Sequence, residues 1–445
     1  GKDSFQEVDI IGITQPIVKH SFLVRDVKDL EGIIKEAFMI ASSDRNGPVL
    51  IDFPKDMQQA LYHYPSDSYR SEYYHRPPEE NDYYNAVQAI TQSQRPFIYC
   101  GGGVVYAGAS AEVLALSKKI NAPIGMSMMG LSAIPSSYEL NMGMTGMHGK
   151  YAATMVQDEA DLLIAIGVRF SDRATGNVRE FAKNCTVIHI DIDPAEINKN
   201  IHSRLSLCGD IKQVLGQLIQ IIAPKENLDW RECIDNHRID QALMDPEDHQ
   251  FSPKNIIGMV QEHCTAKTLV ATDVGQHQMW AMQYYRFETP RTLITSGGLG
   301  TMGFGLGAAI GGSLAAHKQK TVLFTGDGSL GMNLTELATA VSQQIPLVII
   351  VFNNGVLGMV RQWQTQFYGE RYSQTTLHRA TNFAQVATAF GAVGYTATDL
   401  SELNNALNAA FNYNTPVLID CHIDADLKVL PMIPPGGSVK NMIIK

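Results

Sequence analysis

The stretch Thr321-Val322-Leu323-Phe324-Thr325-Gly326-Asp327-Gly328-Ser329 opens as an apolar run and ends in an acid flanked by glycines. A second apolar run, Pro346 to Phe352, ends in the paired amides Asn353-Asn354. Between them Leu334, Leu337, Ala338 and Val341 recur on one face, which predicts a single amphipathic helix over 333–343. Strand, turn, helix and strand in that order make a βαβ unit with a right-handed crossover and a parallel sheet. The carboxyl ends of the two strands then lie side by side, so Asp327 and Asn354 converge. A carboxylate and an amide oxygen beside a glycine turn suit a hard divalent cation that also holds phosphate oxygens, and Mg²⁺ fits best. Gly326 and Gly328 leave the backbone open to a diphosphate, and the following helix start adds the positive end of its dipole. Gly-Asp-Gly alone would be an ordinary strand-end turn with an aspartate cap. The Asn-Asn pair at the next strand end turns the reading to a metal–diphosphate site.

Working outward, 445 residues are too many for one core and call for two or three domains. A hydrophobic fraction of 45% with 18% charged residues describes a folded globular chain. A net charge of −10 without any basic run argues against nucleic-acid and membrane-surface binding. The six cysteines (Cys100, Cys185, Cys208, Cys233, Cys264 and Cys421) are scattered without a close pair. They point to reduced thiols in a cytoplasm-like compartment, with neither a disulfide framework nor a zinc spacing. No apolar stretch approaches the roughly 20 residues that span a bilayer.

Three α/β blocks follow one another. Residues 1–61 hold one clear helix, 29–42, and one buried-strand run, 48–53. They read either as the carboxyl-terminal remnant of a preceding domain or as an edge element packed on the next one. Residues 62–80, rich in tyrosine and proline, read as a linker. The central block, 81–222, places strands at 96–100, 161–167 and 186–191 and a helix at 111–120. Its strands end in Gly101-Gly102-Gly103, in Arg169 with Asp172 and Arg173, and in Asp191 with Asp193, where open parallel sheets bind ligands. Residues 223–250 are charged and poorly patterned, a second linker. The third block, 251–445, places strands at 268–271, 292–296, 321–325, 346–352 and 416–421. It closes in a proline-rich tail, Leu430 to Gly437, that crosses back over the fold as irregular structure.

Several motifs stay open on pattern alone. Gly298-Leu299-Gly300-Thr301-Met302-Gly303 matches a dinucleotide fingerprint, but the acid expected about 20 residues on is missing. It reads instead as a backbone-exposing turn against a flat ring, with Met302 projecting or simply filling core. His189, Asp191 and Asp193 share one strand face, yet a strand end meeting solvent or ligand hydroxyls explains them better than a metal. Arg169 and Arg173 form either a surface ion-pair loop or a clamp for a phosphate or carboxylate. Gln276-His277 reads as a capped helix start, and Trp363 as an ordinary buried tryptophan.

Taken together, Gly326-Asp327-Gly328 followed 27 positions later by Asn354 resembles the thiamin-diphosphate motif of the thiamin-dependent decarboxylases and carboligases. More narrowly, the chain resembles acetohydroxyacid synthase (acetolactate synthase) catalytic subunits. The supporting strings are Gly1 to Glu7, Gly146-Met147-His148-Gly149, Gly167 to Arg173, Gly275 to Trp280, Gly298 to Gly303, Gly358 to Gln364 and Leu430 to Gly437. The resemblance implies successive doubly wound parallel-sheet α/β domains: a pyrimidine-binding remnant, an FAD-binding middle and a Mg²⁺/diphosphate-binding end.

It also implies roles. Asp327, Asn354 and the Val356 carbonyl would hold Mg²⁺. Gln276, His277, Gly328 and Ser329 would approach the diphosphate of thiamin diphosphate. Gly297, Gly300, Thr301 and Met302, with Leu357, Gly358 and Met359, would surround the rest of that cofactor, Met302 being the wedge that bends it. FAD would lie against Arg45, Gly102, Ser127, Met128, Thr145, Gly146, Met147 and His148. Gly167, Val168, Arg169, Phe170, Asp191, Ile192, Asp210 and Ile211 would complete its site, although no net redox chemistry needs it. Arg173 would hold the second substrate's carboxylate, Trp363 would shape its pocket, and Lys55 and Gln6 would line the approach. The implied reaction decarboxylates pyruvate and joins the two-carbon unit to a second 2-oxoacid, giving 2-acetolactate or 2-aceto-2-hydroxybutyrate. A homodimer or homotetramer and a small regulatory subunit are the implied partners. In this family a preceding segment carries the glutamate that activates the cofactor. The chain begins after that position and is therefore expected to be a fragment lacking normal activity unless the segment is supplied. Ser171, where the family often has an acid, is a smaller departure. The rivals are a related thiamin- and flavin-dependent enzyme such as a pyruvate oxidase, against which Trp363 and the Arg169–Arg173 loop argue, and a non-catalytic nucleotide-binding fragment.

Overall fold

Strands buried on both faces need helices on both sides, and two such sheets organise the protein. A computed structural model describes residues 5–63, 77–244 and 251–444. Its strands are β1 (His20–Leu23), β2 (Val49–Asp52), β3 (Pro96–Cys100), β4 (Ile124–Met126), β5 (Asn141–Met144), β6 (Leu162–Ile166) and β7 (Thr186–Asp191). They continue with β8 (Leu205–Cys208), β9 (Leu269–Thr272), β10 (Leu293–Thr295), β11 (Thr321–Gly326), β12 (Leu347–Asn353), β13 (Val393–Ala397) and β14 (Val417–His422). The central sheet has the order β5-β4-β3-β6-β7-β8 and the third β10-β9-β11-β12-β14-β13, with every pairing parallel. Both are doubly wound α/β sheets. In each, the strand order reverses beside the first strand, between β3 and β6 and between β9 and β11, which is where such sheets leave a crevice for ligands.

Residues 5–63 form a smaller unit. β1 and β2 pair in parallel, with Phe22 opposite Ile51, against the helices Ile10–Thr14 and Leu30–Ser42. Of its apolar residues only Val24 and Ala37 are buried, while Phe5, Ile13, Ile17 and Phe38 are exposed. Arg45 reaches from this unit to Glu196 of the central one, Nη1 to Oε1 2.8 Å.

Three expectations need correction. The single helix over 333–343 is interrupted. A helix runs over Asp327–Asn333, a 3₁₀ turn over Leu334–Glu336, and a second helix over Leu337–Ser342. Asn333 leaves helical geometry (φ −134°, ψ 21°) while its Nδ2 donates to the Gly303 carbonyl at 2.7 Å. A tertiary hydrogen bond thus breaks a helix that the apolar pattern alone would have continued. Second, the segment read as a linker at 223–250 carries the helix Leu228–Met244, which packs on the helix Tyr151–Asp158. Its two inward residues, Trp230 and Ile234, lie one turn apart in an otherwise polar sequence, and Trp230 Nε1 donates to the Pro96 carbonyl at 3.1 Å. Third, β1, β4, β5, β8 and β13 were not foreseen. They are three to five residues long, and β5 and β13 contain glycine, so their pattern is too short to register. Most of the linker read at 62–80 lies outside the described residues.

The tail binds the two large sheets together. Ile433 N donates to the Met147 carbonyl and Asn177 N to the Gly437 carbonyl, both at 2.8 Å. An antiparallel bridge joins Met432 to Ile443.

Candidate active site

In the third sheet, three neighbouring strand ends bring the polar groups together. Gly326 lies opposite Phe352, so Asp327 and Asn354 emerge from adjacent strands. β9, on the other side of β11, feeds Gly275 and then the helix Gln276–Tyr284. Val356 N donates to Asn354 Oδ1 at 3.2 Å, and Asn354 Nδ2 donates to Gln276 Oε1 at 3.4 Å. Gln276 Nε2 donates in turn to Gln362 Oε1 and to the Leu427 carbonyl, at 3.0 and 2.8 Å. Gly358 must be glycine here, since a Cβ would sit 2.0 Å from Gln276 Oε1 and 2.8 Å from Asn354 Nδ2.

Asp327 is almost wholly buried, and burial pushes its carboxyl up to about 6, with Arg379 opposing the shift. A buried carboxylate that is raised in this way gains most from a cation. His277 is also buried, and burial lowers its imidazole to about 3, so it is neutral at ordinary pH. Its Nε2 has no hydrogen-bond partner, an orphaned polar atom beside the Asp327 turn. A Cβ added to Gly326 would lie 2.9 Å from His277 Nδ1. Ser329 Oγ donates to the Val274 carbonyl at 2.9 Å.

The Gly298–Gly303 turn faces the same spot. Gly300 and Gly303 take positive φ, +70° and +87°, a conformation that favours glycine. Gly300 N donates to the Ser296 carbonyl and Thr301 N to Ser296 Oγ, both at 3.1 Å. A Cβ on Gly328 would stand 3.0 Å from Leu357 Cδ2 and 3.8 Å from Met302 Cε, so Met302 and Leu357 close over the start of the Asp327 turn. Met359 packs at the margin of the main core. Gly297 abuts Met128, across the boundary with the central sheet, and Gly298 abuts Arg169 in the same way.

At the switch point of the central sheet, two backbones meet. A Cβ on Gly101 would be 2.0 Å from the Gly167 carbonyl oxygen, and Gly103 N donates to that oxygen at 3.1 Å. The residues read as flavin-binding gather along these strand ends, with Gly102 following β3, and Ser127 and Met128 following β4. Thr145 and Gly146 follow β5, Val168 and Phe170 follow β6, and Ile192 follows β7. Asp191 ends β7 and is pushed up to about 6 by burial. Asp210 caps the helix Ile211–Ile221, accepting from Gln213 N at 2.9 Å. Thr145 Oγ1 and His148 Nδ1 are buried without partners. Burial first, and Arg173 second, lower the His148 imidazole to about 4. His189, the residue considered for a metal, instead bonds the Val168 carbonyl through Nε2 at 3.0 Å and is fully buried.

Arg173 and Trp363 come from different domains. The Arg173 guanidinium carbon lies 5.7 Å from the Trp363 ring centre, and Met147 N holds the Arg173 carbonyl at 2.9 Å. Trp363 Nε1 is buried without a partner. Arg45 is engaged with Glu196, and Arg169 is exposed beside Gly298. Lys55 opens the short helix Lys55–Gln59, and Gln6 lies in a turn at φ +63°. Both are exposed, and among the described residues no hydrogen bond or ion pair joins them to the Asp327 or Arg173 clusters.

Two positioning residues had no sequence signal of their own. Asp273 is buried at the end of β9, accepting from Val274 N and Gly303 N at 2.9 and 2.8 Å, and it pins the Met302 turn to the sheet. Arg379, from an irregular stretch, donates to the Asp327 carbonyl at 3.2 Å. Gln362 lies within the Gly358–Gln364 string but was given no role there. It is buried and ties Gln276 to the tail, accepting from Val429 N at 2.8 Å.

Two doubly wound parallel sheets, one bringing Asp327 and Asn354 to adjacent strand ends, fit the class of thiamin-diphosphate enzymes. The profile described as "Thiamine pyrophosphate enzyme, C-terminal TPP binding domain" matches residues 273–421, and "Thiamine pyrophosphate enzyme, central domain" matches 84–218. The chain is 38% identical to the acetolactate synthase isozyme 3 large subunit of Escherichia coli (strain K12), over 99% of its own length and 80% of that protein's. It is 40% identical to the isozyme 1 large subunit of the same organism, over 100% and 79% of the two chains. The Haemophilus influenzae acetolactate synthase large subunit is 38% identical, over 100% and 80%. The chain belongs to the acetolactate synthase large-subunit family.

Proposed function

We propose that the protein decarboxylates pyruvate and condenses the two-carbon unit with a second 2-oxoacid, pyruvate or 2-oxobutyrate, in branched-chain amino-acid biosynthesis. The observation that carries this is that Asp327 and Asn354 leave adjacent strand ends beside the orphaned His277 Nε2, with Met302 over the start of the Asp327 turn. Asp327, Asn354 and the Val356 carbonyl would hold Mg²⁺, whose hard oxygen preference suits that donor set. Thiamin diphosphate, when bound, supplies the electron sink for decarboxylation. The chain's own residues position and desolvate. His277, as the Nε2–H form, would donate to a diphosphate oxygen, and Met302, an apolar and pliable side chain, presses on the cofactor without competing for its polar groups. Arg173 grips the carboxylate of the second 2-oxoacid, and Trp363 walls the pocket that its side chain enters. FAD would occupy the β3–β6 crevice, where Thr145 Oγ1 and His148 Nδ1 lack partners and Gly101 and Gly167 keep the floor free of side chains.

A small regulatory subunit is the partner that the names of the relatives suggest, and we place the chain in a homo-oligomer in the cytoplasm. Calorimetric titration with thiamin diphosphate and Mg²⁺ tests the site. Saturable binding abolished by Asp327→Ala supports this reading, and unchanged binding in that variant overturns it.

A further inference from the structure

The fold groups three side chains of metal-ligating type that neither site described above uses. Cys233 and His237 lie four residues apart, on one face of the helix Leu228–Met244. That face packs on the helix Tyr151–Asp158, whose carboxyl-terminal cap is Glu159. His237 Nε2 is 2.9 Å from Glu159 Oε1, and Cys233 Sγ is 3.2 Å from Glu159 Oε2. One ligand atom from each residue lies within 4.8 Å of the other two. The imidazole is nearly buried, and Tyr151 packs edge-on against it, with ring centres 6.2 Å apart.

We propose that Glu159, Cys233 and His237 bind a borderline-soft divalent cation, Zn²⁺ or a near relative. Thiolate, imidazole and carboxylate in one cluster select such an ion over Mg²⁺ or Ca²⁺, which prefer all-oxygen sites. Tetrahedral zinc with Zn–S near 2.3 Å and Zn–N near 2.0 Å separates neighbouring ligand atoms by roughly 3.3 Å. Glu159 presents Oε1 to His237 and Oε2 to Cys233, so the carboxylate already lies between the other two ligands. Three protein ligands leave a fourth position for water. Binding would convert the Cys233 thiol to thiolate, releasing its proton to solvent, and would clamp the Leu228–Met244 helix to the central domain. The six cysteines are scattered in sequence, so this grouping arises only in the fold.

Cobalt(II) titration of the protein, with Mg²⁺ in excess to occupy Asp327, tests this directly. One equivalent giving a near-ultraviolet thiolate-to-cobalt band that Zn²⁺ abolishes supports the site. Cys233→Ser should remove the band, and His237→Ala or Glu159→Gln should weaken binding at least tenfold. Thiamin-diphosphate binding should be retained in all three, reporting an intact fold. The proposal is overturned by absence of saturable binding, or by a band that survives Cys233→Ser.

Discussion

The guanidinium of Arg173 stands over the indole of Trp363, 5.7 Å from carbon to ring centre, one side chain from the central domain and one from the third. The contact ties a side chain at a strand end of the central sheet to a helix of the third, and in the proposed function this pair forms the second substrate's pocket.

Arg173→Lys keeps the charge and loses both the planar fork and the ring contact. Steady-state kinetics with the activating segment supplied should show KM for the second 2-oxoacid raised roughly tenfold, with kcat changed less, since about 1.4 kcal/mol is a factor of ten. Trp363→Leu should instead change the ratio of 2-aceto-2-hydroxybutyrate to 2-acetolactate when both substrates compete. An unchanged product ratio would remove Trp363 from the pocket.

Asp327 and His277 pull stability in opposite directions with pH. The folded carboxyl of Asp327 is raised from 3.8 to about 6 by burial, so across that window the folded state binds more protons, and this contribution falls as pH rises. The His277 imidazole is lowered from 6.5 to about 3, so the unfolded state binds more protons there, and its contribution rises with pH. Asp327→Asn should therefore stabilise the cofactor-free protein at neutral pH by at most about 3 kcal/mol while abolishing Mg²⁺ binding. Thermal melts with and without thiamin diphosphate and Mg²⁺ read both effects. In the unaltered protein, Mg²⁺ affinity should fall as pH drops below about 6, because the carboxylate must be ionised to ligate.

Two glycine substitutions should separate binding from folding. Gly328→Ala meets only the ends of the flexible Leu357, Leu377 and Met302 side chains, at 3.0, 3.4 and 3.8 Å. It should cost less than about 1 kcal/mol of stability yet weaken thiamin-diphosphate binding at least tenfold by narrowing the approach to the turn. Gly101→Ala meets the Gly167 backbone oxygen at 2.0 Å, which no rotamer relieves. Denaturant melts should show a loss of several kcal/mol, or no folded central domain.

Trp230→Ala removes a buried indole and its hydrogen bond to Pro96. Chemical denaturation should register a loss of about 3–5 kcal/mol. A neutral result would mean that the Leu228–Met244 helix does not contribute to the central core.

The sheets were legible wherever three to five apolar residues ran together without interruption, as at Phe97 to Cys100, Leu162 to Ile166 and Val322 to Phe324, because strands buried on both faces need no alternation. The three-residue β4, and the glycine-containing β5 and β13, carry too little pattern to separate from loop. The helix Leu228–Met244 has only two fully buried apolar residues, Trp230 and Ile234, and a helix that covers one edge of a domain needs no broader apolar stripe. At the site, Asp327 and Asn354 could be paired from strand order alone. Asp273 and Arg379 could not, since each acts on backbone atoms 30 and 52 residues away and any acid or base reads alike until the fold places it.

The tail from Leu430 to Gly437 reaches back from beyond the last strand of the third sheet to Met147 and Asn177. During synthesis, every residue that surrounds Arg173 and Trp363 leaves the ribosome before the segment that fastens them. One apolar cluster runs through both sheets, so their contact is completed when the tail after β14 reaches Met147 and Asn177. Fastening of the two sheets thereby depends on a segment that follows both of them in the chain.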